Sequence, residues 1–455
     1  MQFPRLVLAH EEREGIVPPT VILASALRQR GYPLRLFVAG VDERRLRLLQ
    51  LLCGLDVTVL DIRLCATPHS LRALFSAAAS SDSLNLILAP LGEGEGEDDI
   101  RLDRHTARLA ELLECDILPV LYGGTSSALA ARKAFNLKKK LEKCRGANVR
   151  ALLFDSVLNP KEYQLLEIEV GRHLPWICLG YIPRHIERKV PSLLRLCAQK
   201  PNSSLAVALH TASAQLNAIE GQIEWQVFSS LARLAHDWSA ACAQFETLSQ
   251  VRVAILRHEA LSLGGNNLEL LLRSLGCEIV DVSVSDEIIP VDVHALYVPH
   301  GLGYLSLVPL SANAPLRRDM GNFVFGKGLF AEGGGSLILG ESIGLPTGRE
   351  VKGLGLMPIK GSFAESSGRG EYIEVRGEAD GLFLRKGETI RGCWPEGISA
   401  KESSAAGRAE WGVWNVEDQA RLSDDGFVIG RSVATQVRLE PWSAPNAFCR
   451  WLKSL

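Results

Sequence analysis

Residues 5–38, RLVLAHEEREGIVPPTVILASALRQRGYPLRLFV, predict a strand, a loop, a helix and a second strand. The two strands are the continuous apolar runs Arg5–Ala9 and Leu34–Val38, whereas the apolar residues within 21–27 recur at helical spacing. A strand that is apolar on both faces is typical of a parallel sheet covered by helices on both sides. This stretch therefore predicts an α/β fold.

The same alternation continues on the C-terminal side of this stretch. Further apolar runs, separated by helical patterns, occupy residues 84–89, 117–121, 149–154 and 176–180. We therefore predict one parallel-sheet domain over residues 1–198. A breaker cluster at Pro201–Ser204 is followed by apolar residues spaced three or four apart from Leu216 to Trp238, which predict one long amphipathic helix. Residues 199–250 are interpreted as a helical connector between the domains, or as a helix that packs over the first one.

A second α/β domain is predicted over residues 251–455. Its apolar runs are residues 251–256, 277–280, 295–298 and 329–332. A helix is expected from Asn267 to Leu275, and Gly276 is placed to end it. The region after about residue 350 is rich in glycine and short strands.

Composition excludes several classes of protein. The 455 residues are 47% apolar and carry a formal net charge of -2, so no overall basic field attracts nucleic acid or an anionic membrane. The longest stretch without Asp, Glu, Lys or Arg, residues 293–316, contains three prolines, which argues against a membrane helix. The ten cysteines form no C-x-x-C pair, so we predict no metal site. We expect a cytoplasmic protein whose cysteines are reduced.

Several segments, in this order, resemble the cobyrinic acid a,c-diamide synthase family. They are Pro4–Ala9, Thr20–Gly31, Leu152–Asn159, Leu179–Arg184, Asn267–Leu271, Ala295–Pro299 and Phe330–Gly335. The resemblance implies two Rossmann-like parallel-sheet domains. The first is P-loop-NTPase-like, of the dethiobiotin-synthetase type, and the second is a flavodoxin-like class I glutamine amidotransferase domain. It also implies ATP- and glutamine-dependent amidation of two carboxylates of a corrin or related tetrapyrrole, and a homodimer.

The segment that matches the family's nucleotide loop lacks the groups that bind phosphate. A P-loop, G-x-x-x-x-G-K-S/T, wraps phosphates with backbone N–H groups and holds them with its lysine. Here Pro18 occupies the approximate position of the lysine, and neither Pro18 nor Pro19 has an N–H group to donate. Glu11, Glu12 and Glu14 add negative charge, and only Thr20 is retained. We predict a degenerate loop that does not bind ATP and Mg²⁺ in the P-loop manner.

The glutaminase site that the resemblance implies lacks its reactive groups as well. Class I amidotransferases use a cysteine nucleophile on a strand-to-helix elbow and a histidine that moves protons. The family pattern A-E-C-G-G corresponds here to Ala331–Gly335, which places Gly333 at the nucleophile position. The histidine positions of the family's V-H-L-H-F motif hold Arg438 and Glu440, and residues 301–455 contain no histidine. We therefore predict no catalytic residue.

Three residues remain as candidate ligand contacts. Asp42 lies where the family carries an aspartate, Asn267 opens a helix, and His300 lies in a glycine-rich turn where its ring is expected to face water. The acidic segment 93–99 is interpreted as a solvated loop rather than a cation site.

Three functional hypotheses follow. The first is a catalytically degenerate relative that binds a tetrapyrrole, or pairs with an active amidase or other pathway protein, as a carrier, scaffold or regulator. The second is a divergent active amidoligase that forms the a,c-diamide with ammonia or a partner's glutaminase and binds ATP and Mg²⁺ in another mode. The third is an unrelated enzyme or interaction module on the same scaffold.

Overall fold

The computed structural model describes residues 3–92, 99–100, 102–144, 146–186, 188–198, 203–219, 221–235, 245–403 and 409–455. Most of the predicted acidic loop, residues 93–98, lies outside the described residues. Two α/β units, each built on its own large sheet, follow one another along the chain.

The first unit is built on a seven-stranded sheet whose neighbouring strands are all parallel. Its strands are β1 (Arg5–His10), β2 (Leu34–Val38), β3 (Val57–Val59), β4 (Leu84–Pro90), β5 (Ile117–Tyr122), β6 (Ala151–Val157) and β7 (Ile177–Pro183). Their order is β3-β2-β4-β1-β5-β6-β7, so β1 lies at the centre. The continuous apolar runs are buried on both faces, which confirms the doubly covered sheet that they predict.

Helices connect these strands and continue beyond the last one. They are α1 (Pro19–Gln29), α2 (Glu43–Cys53), α3 (Pro68–Ala78), α4 (Arg104–Leu113), α5 (Ser127–Leu141), α6 (Pro160–His173), α7 (Leu193–Cys197), α8 (Ser204–Ala218) and α9 (Trp225–Arg233). Five of the first six begin after a polar side chain that accepts a hydrogen bond from a backbone N–H group of the first turn. The exception is α1, which follows Pro18 and has no side-chain cap.

The prediction of one helix from Leu216 to Trp238 is wrong. The chain forms α8 and α9 with a break between them, where Gly221 has φ +68° and Ile223 pairs with Gly180 of β7. Pairing with the edge of the sheet requires extended backbone, and that requirement overrides the helical periodicity. Both helices pack on the first unit, α8 against α1 and α9 against β1. Trp238 lies outside the described residues.

The second unit is a mixed-sheet α/β structure. Its strands are β8 (Arg252–Arg257), β9 (Glu278–Ser283), β10 (Ala295–Val298), β11 (Leu329–Glu332), β12 (Ser342–Gly344), β13 (Glu350–Lys352), β14 (Ile359–Phe363), β15 (Gly370–Gly377), β16 (Thr389–Pro395), β17 (Ile398–Glu402), β18 (Ala409–Asn415), β19 (Arg421–Ile429), β20 (Ser432–Thr435) and β21 (Arg438–Leu439). Its helices are α10 (Asn267–Ser274), α11 (Leu307–Ala312), α12 (Ala314–Asn322), α13 (Gly334–Leu337) and α14 (Pro445–Lys453). Short 3₁₀ turns span Glu259–Leu261, Gly303–Ser306 and Pro441–Ser443, and a π-helical turn spans Phe323–Lys327.

The large sheet of this unit has the order β21-β16-β15-β18-β19-β20-β11-β10-β8-β9. The five strands from β20 to β9 are parallel, and the remaining strands extend the sheet in antiparallel fashion. A small second sheet has the order β13-β12-β14-β17. The parallel part therefore carries the Rossmann-like core, and the glycine-rich region after residue 350 builds the extension.

The two units meet at the edge strand β3. The side chain of Asn267 bonds both backbone groups of Val59, accepting from its N–H group at 2.9 Å and donating to its carbonyl at 2.8 Å. Next to it, the N–H group of Asn266 donates to the carbonyl of Val57 at 3.2 Å. These contacts satisfy backbone groups that an edge strand would otherwise expose. They also bring the carboxyl end of β11 close to the first turn of α2.

Candidate functional site

A sharp strand-to-helix elbow follows β11. Gly333 has φ +54° and ψ −137°, and α13 begins at the next residue. A side chain is strained at this positive φ, whereas glycine adopts it readily. The N–H group of Gly333 donates to the carbonyl of Val437 at 3.3 Å, which ties the elbow to the segment before β21. The predicted elbow is therefore present, with glycine at its apex.

The imidazole of His300 fills the space beside this apex. A Cβ atom added at Gly333 would lie 2.0 Å from Nδ1 and 2.7 Å from Cγ of His300. Such distances are far below a van der Waals contact, so the ring and a side chain at position 333 exclude each other. The ring is 1% exposed, which corrects the expectation that it faces water.

Two hydrogen bonds fix the ring of His300. Its Nδ1 atom accepts from the N–H group of Gly334 at 3.2 Å, and its Nε2 atom lies 2.8 Å from Oε1 of Glu43. An acceptor at Nδ1 and a donor at Nε2 correspond to one neutral tautomer, which we assign from this network. Glu43 is the first residue of α2, so the ring joins the elbow of the second unit to a helix of the first.

The two positions that match the family's histidines hold side chains engaged elsewhere. Arg438 is buried and donates from Nη1 to the carbonyl of Gly264 at 3.3 Å. A guanidinium keeps its proton and cannot act as a base. The carboxylate of Glu440 accepts from Nδ2 of Asn267 at 2.7 Å and from the N–H group of Trp442 at 3.2 Å. Burial raises the pKa of Glu440 to about 7, but both of its oxygens serve the packing around α10.

Glu332, at the end of β11, forms a buried polar cluster with Tyr297 and Arg438. It accepts from the hydroxyl of Tyr297 at 2.5 Å and from the N–H group of Leu439 at 3.1 Å. Burial raises its pKa, although the Tyr297 hydrogen bond and the charge of Arg438 oppose that rise. The positive charge of Arg438 therefore partly offsets the cost of burying the Glu332 carboxylate, and the hydrogen bonds of Glu332 are made to groups of the protein itself.

The loop after β1, which the sequence predicts to be a degenerate nucleotide loop, pairs with a neighbouring segment of the chain. The N–H group of Val17 donates to the carbonyl of Arg188 at 2.6 Å, and Ile16 forms an antiparallel bridge with Lys189. Pro18, which follows, has no N–H group to donate. Directly before α1, the amide of Val17 is therefore bonded to protein, and Pro18 offers no amide to a phosphate.

Thr20, the residue retained from the P-loop pattern, lies inside the first unit. Pro19 is the first residue of α1, and the hydroxyl of Thr20 lies 3.1 Å from Nδ1 of His10. Both side chains are buried, and burial, followed by the charge of Arg45, holds the pKa of His10 well below its ordinary value. The hydroxyl that would bind Mg²⁺ is engaged with a neutral imidazole.

Two acidic residues of the loop are paired with cations. Glu11 accepts from the N–H group of Tyr122 and from Nζ of Lys133, both at 2.7 Å. Glu12 forms an ion pair with Arg45 at 3.0 Å. These contacts fix the loop in its present conformation.

Asp42 caps α2 and lines a cavity of about 460 Å³ beside this loop. Its carboxylate accepts from the N–H group of Arg45 at 2.8 Å and lies 3.4 Å from Nη2 of the same residue. The cavity is also lined by Arg44 and, from the second unit, by Arg369. Sequence analysis missed these arginines. Arg44 and Arg45 in the first turn of α2 are a signal for them, because cations are unfavourable near a helix N-terminus.

Asn267, the third candidate, is engaged in the contact between the two units. It is 4% exposed, and its side chain bonds Val59 and Glu440 as described above. The neighbouring Asn266 instead lines a second cavity of about 570 Å³ between the units.

Among the residues that the structure describes, no group of three or more His, Cys, Asp or Glu side chains is arranged to hold a metal ion. None of the helices within the same residues has the length and apolar character needed to cross a bilayer.

Comparisons with known proteins agree on one family. The profile of the CobB/CobQ-like glutamine amidotransferase domain matches residues 252–402. A cobyrinate a,c-diamide synthase from Magnetococcus marinus is 26% identical over 387 residues, which cover 83% of this chain and 81% of that protein. One from Limosilactobacillus reuteri is 22% identical over 406 residues, covering 87% and 86%. A hydrogenobyrinate a,c-diamide synthase from Stutzerimonas stutzeri is 26% identical over 356 residues, covering 78% of each chain.

Solved structures match the chain in part. PurLQS from Thermotoga maritima aligns with a TM-score of 0.34 at 16% identity, covering 45% of this chain and 99% of that one. The MinD cell division protein of Aquifex aeolicus aligns with a TM-score of 0.26 at 13% identity, covering 48% and 99%.

Proposed function

The chain belongs to the cobyrinate a,c-diamide synthase family, and we propose that it is a member without glutaminase or P-loop ATPase activity. In this proposal it serves tetrapyrrole amidation as a binding, scaffold or regulatory protein. The observation that carries the proposal is the position of His300, whose ring occupies the space that a nucleophile's side chain needs at Gly333.

The position of His300 argues against glutaminase activity independently of the missing cysteine. Glutamine hydrolysis through a thioester requires a nucleophile at the elbow and room for the acyl group beside it. Here the N–H group of Gly334 is bonded to His300, and His300 is bonded in turn to Glu43 of the first unit. The elbow therefore supports a contact between the units, and a contact of this kind would be retained in a protein that has lost the reaction.

The nucleotide loop supports the same proposal from the other unit. Its Val17 amide is bonded to protein, its lysine position is Pro18, and the Thr20 hydroxyl faces His10. Each change removes one contact with phosphate or Mg²⁺, and the three changes act on the same ligand.

The proposal is tested by three measurements on the full-length chain. We expect no glutamate release from glutamine above the buffer background and no saturable binding of ATP–Mg²⁺ by calorimetry. We also expect the visible absorption bands of cobyrinic acid or sirohydrochlorin to shift saturably on titration with the protein.

Two results would contradict the proposal. Trapping of a covalent glutamyl adduct would refute the loss of glutaminase chemistry. ATP hydrolysis that depends on ammonia and the tetrapyrrole would instead favour a divergent active amidoligase. Absence of any absorption shift would remove the tetrapyrrole carrier role and leave pairing with an active amidase, which a pull-down against that amidase then tests.

A further inference from the structure

The cavity of about 460 Å³ beside the degenerate loop is built from both units. The first turn of α2 and the loop after β1 form one side, and Ser367 and Arg369 of the second unit form the other. The N–H group of Glu43 donates to the carbonyl of Gly368 at 2.8 Å, which holds the two sides together. A Cβ atom at Gly368 would lie 3.3 Å from the backbone nitrogen of Arg44, so the loop lies directly on the helix. The volume is within the range of small-molecule sites.

The lining of this cavity carries more positive than negative side chains. Its ionic side chains are Arg13, Arg44, Arg45, Arg369, Glu12, Glu14 and Asp42. Four guanidinium groups therefore face three carboxylates, and the lining carries one net positive charge. His10, which also lines the cavity, adds no charge at neutral pH because burial and then Arg45 lower its pKa.

The guanidinium groups differ in how far they are neutralised. Arg45 is paired with Glu12 and Asp42, and Arg369 reaches Glu12 only at 3.7 Å. Arg44 has no carboxylate partner among the described residues, and its Nε atom is buried without an acceptor there. The Nε atom of Arg45, whose side chain is 3% exposed, is also without an acceptor among those residues. A buried donor without an acceptor costs free energy that a bound oxyanion would recover.

We propose that this cavity binds a small organic molecule with one carboxylate group, held by the guanidinium groups of Arg44 and Arg369. The planar, two-pronged guanidinium suits a carboxylate, and one negative charge matches the net charge of the lining. The carboxylates that line the cavity accept hydrogen bonds from N–H or O–H groups elsewhere on the molecule. Because the two arginines come from different units, the ligand bridges them.

The same lining disfavours a polyphosphate. Glu12, Glu14 and Asp42 lie around the cavity, and each repels additional negative charge. A ligand with one carboxylate and one amide therefore fits better than a ligand with two or more negative charges. This inference is independent of the loss of catalysis, since it concerns binding alone.

Calorimetric titration with four probes tests the site on the full-length chain. Succinamate, succinate and succinamide share one carbon skeleton and carry one, two and no carboxylates, and pyrophosphate represents a polyphosphate. We expect saturable binding that is tightest for succinamate, weaker for succinate, and undetectable at millimolar concentration for succinamide and pyrophosphate. Pyrophosphate binding tighter than succinamate, or no saturable binding of succinamate, would overturn the proposal.

Substitutions locate the binding. Arg44→Gln and Arg369→Gln are each expected to weaken succinamate binding by about tenfold or more, because each removes a charged hydrogen-bond donor. Arg317→Gln, the same change at an exposed residue of α12, is the control and should retain wild-type affinity. The side chain of Arg369 is 69% exposed, so its substitution tests the site even if Arg44→Gln does not fold. Unchanged affinity in Arg369→Gln would refute the assignment.

Discussion

The substitution Gly333→Ala tests directly whether His300 occupies the elbow. The added methyl group would lie 2.0 Å from Nδ1 of His300, so the ring must move and give up its bonds to Gly334 and Glu43. Leaving the buried Glu43 carboxylate without its donor costs about 1.5–3 kcal/mol. A side chain in this positive-φ backbone adds about 1–2 kcal/mol. We expect the free energy of unfolding to fall by about 2.5–5 kcal/mol.

Urea unfolding of four proteins measures this effect: the wild type, Gly333→Ala, His300→Ala and the double variant. With His300→Ala in place, the nearest remaining atom is the Cβ of residue 300 at 3.1 Å, so the methyl group then meets a mild contact. The two changes should therefore be non-additive by about 1–3 kcal/mol. Gly348→Ala is the matched control, because Gly348 has φ +78° with nothing within 4 Å of an added Cβ. Additive costs, or a Gly333→Ala cost no larger than that of Gly348→Ala, would refute the reasoning.

Three further predictions concern the contact between the two units at β3, the buried acid Asp425 and the nucleotide loop. Asn267→Ala should lower the free energy of unfolding by about 2–4 kcal/mol and speed amide exchange at Val59, whereas Asn266→Ala should cost about 1 kcal/mol. Equal costs would contradict the role of the Asn267 side chain in holding β3. Burial raises the pKa of Asp425 to about 6, so the folded state binds its proton more tightly than the unfolded state, and stability falls as pH rises from about 4 to about 6. Asp425→Asn should remove that part of the pH profile of stability in urea unfolding; wild-type and variant profiles that run parallel would exclude the assignment. Pro18→Lys should not create saturable ATP–Mg²⁺ binding by calorimetry, because the adjoining amide is already bonded to protein; micromolar binding would show that the lysine alone was missing.

Much of the fold follows from local pattern. The runs Leu34–Val38, Ala295–Val298 and Leu329–Glu332 were predicted with the bounds that the structure has. Continuous apolar runs predict such strands because each strand is buried on both faces of a parallel sheet. The three-residue strand β3 was missed, since so short a run has no periodicity to detect. The helix predicted through Ile223 failed because an edge strand recruits that backbone, and no local signal records such pairing.

Within the candidate site, the sequence alone predicts which functional groups are missing. A cysteine at position 333, histidines at 438 and 440 and a lysine near 18 are functional groups, and their absence can be read directly from the residue identities. The contacts of the side chains that occupy these positions could not be predicted from the sequence, because a side chain's partners depend on packing between segments that are distant along the chain.

Only the tertiary structure shows that the elbow at Gly333 takes part in a contact between the two units. His300 contacts Gly333 and Glu43, which lie 33 and 257 positions away along the chain. These contacts form only because β10, β11 and α2 come together where the two units meet. The tertiary structure likewise decided that Arg44 and Arg369 share one cavity. Local sequence specifies strands and helices through short-range periodicity, whereas these contacts depend on how two separately folded sheets dock against each other.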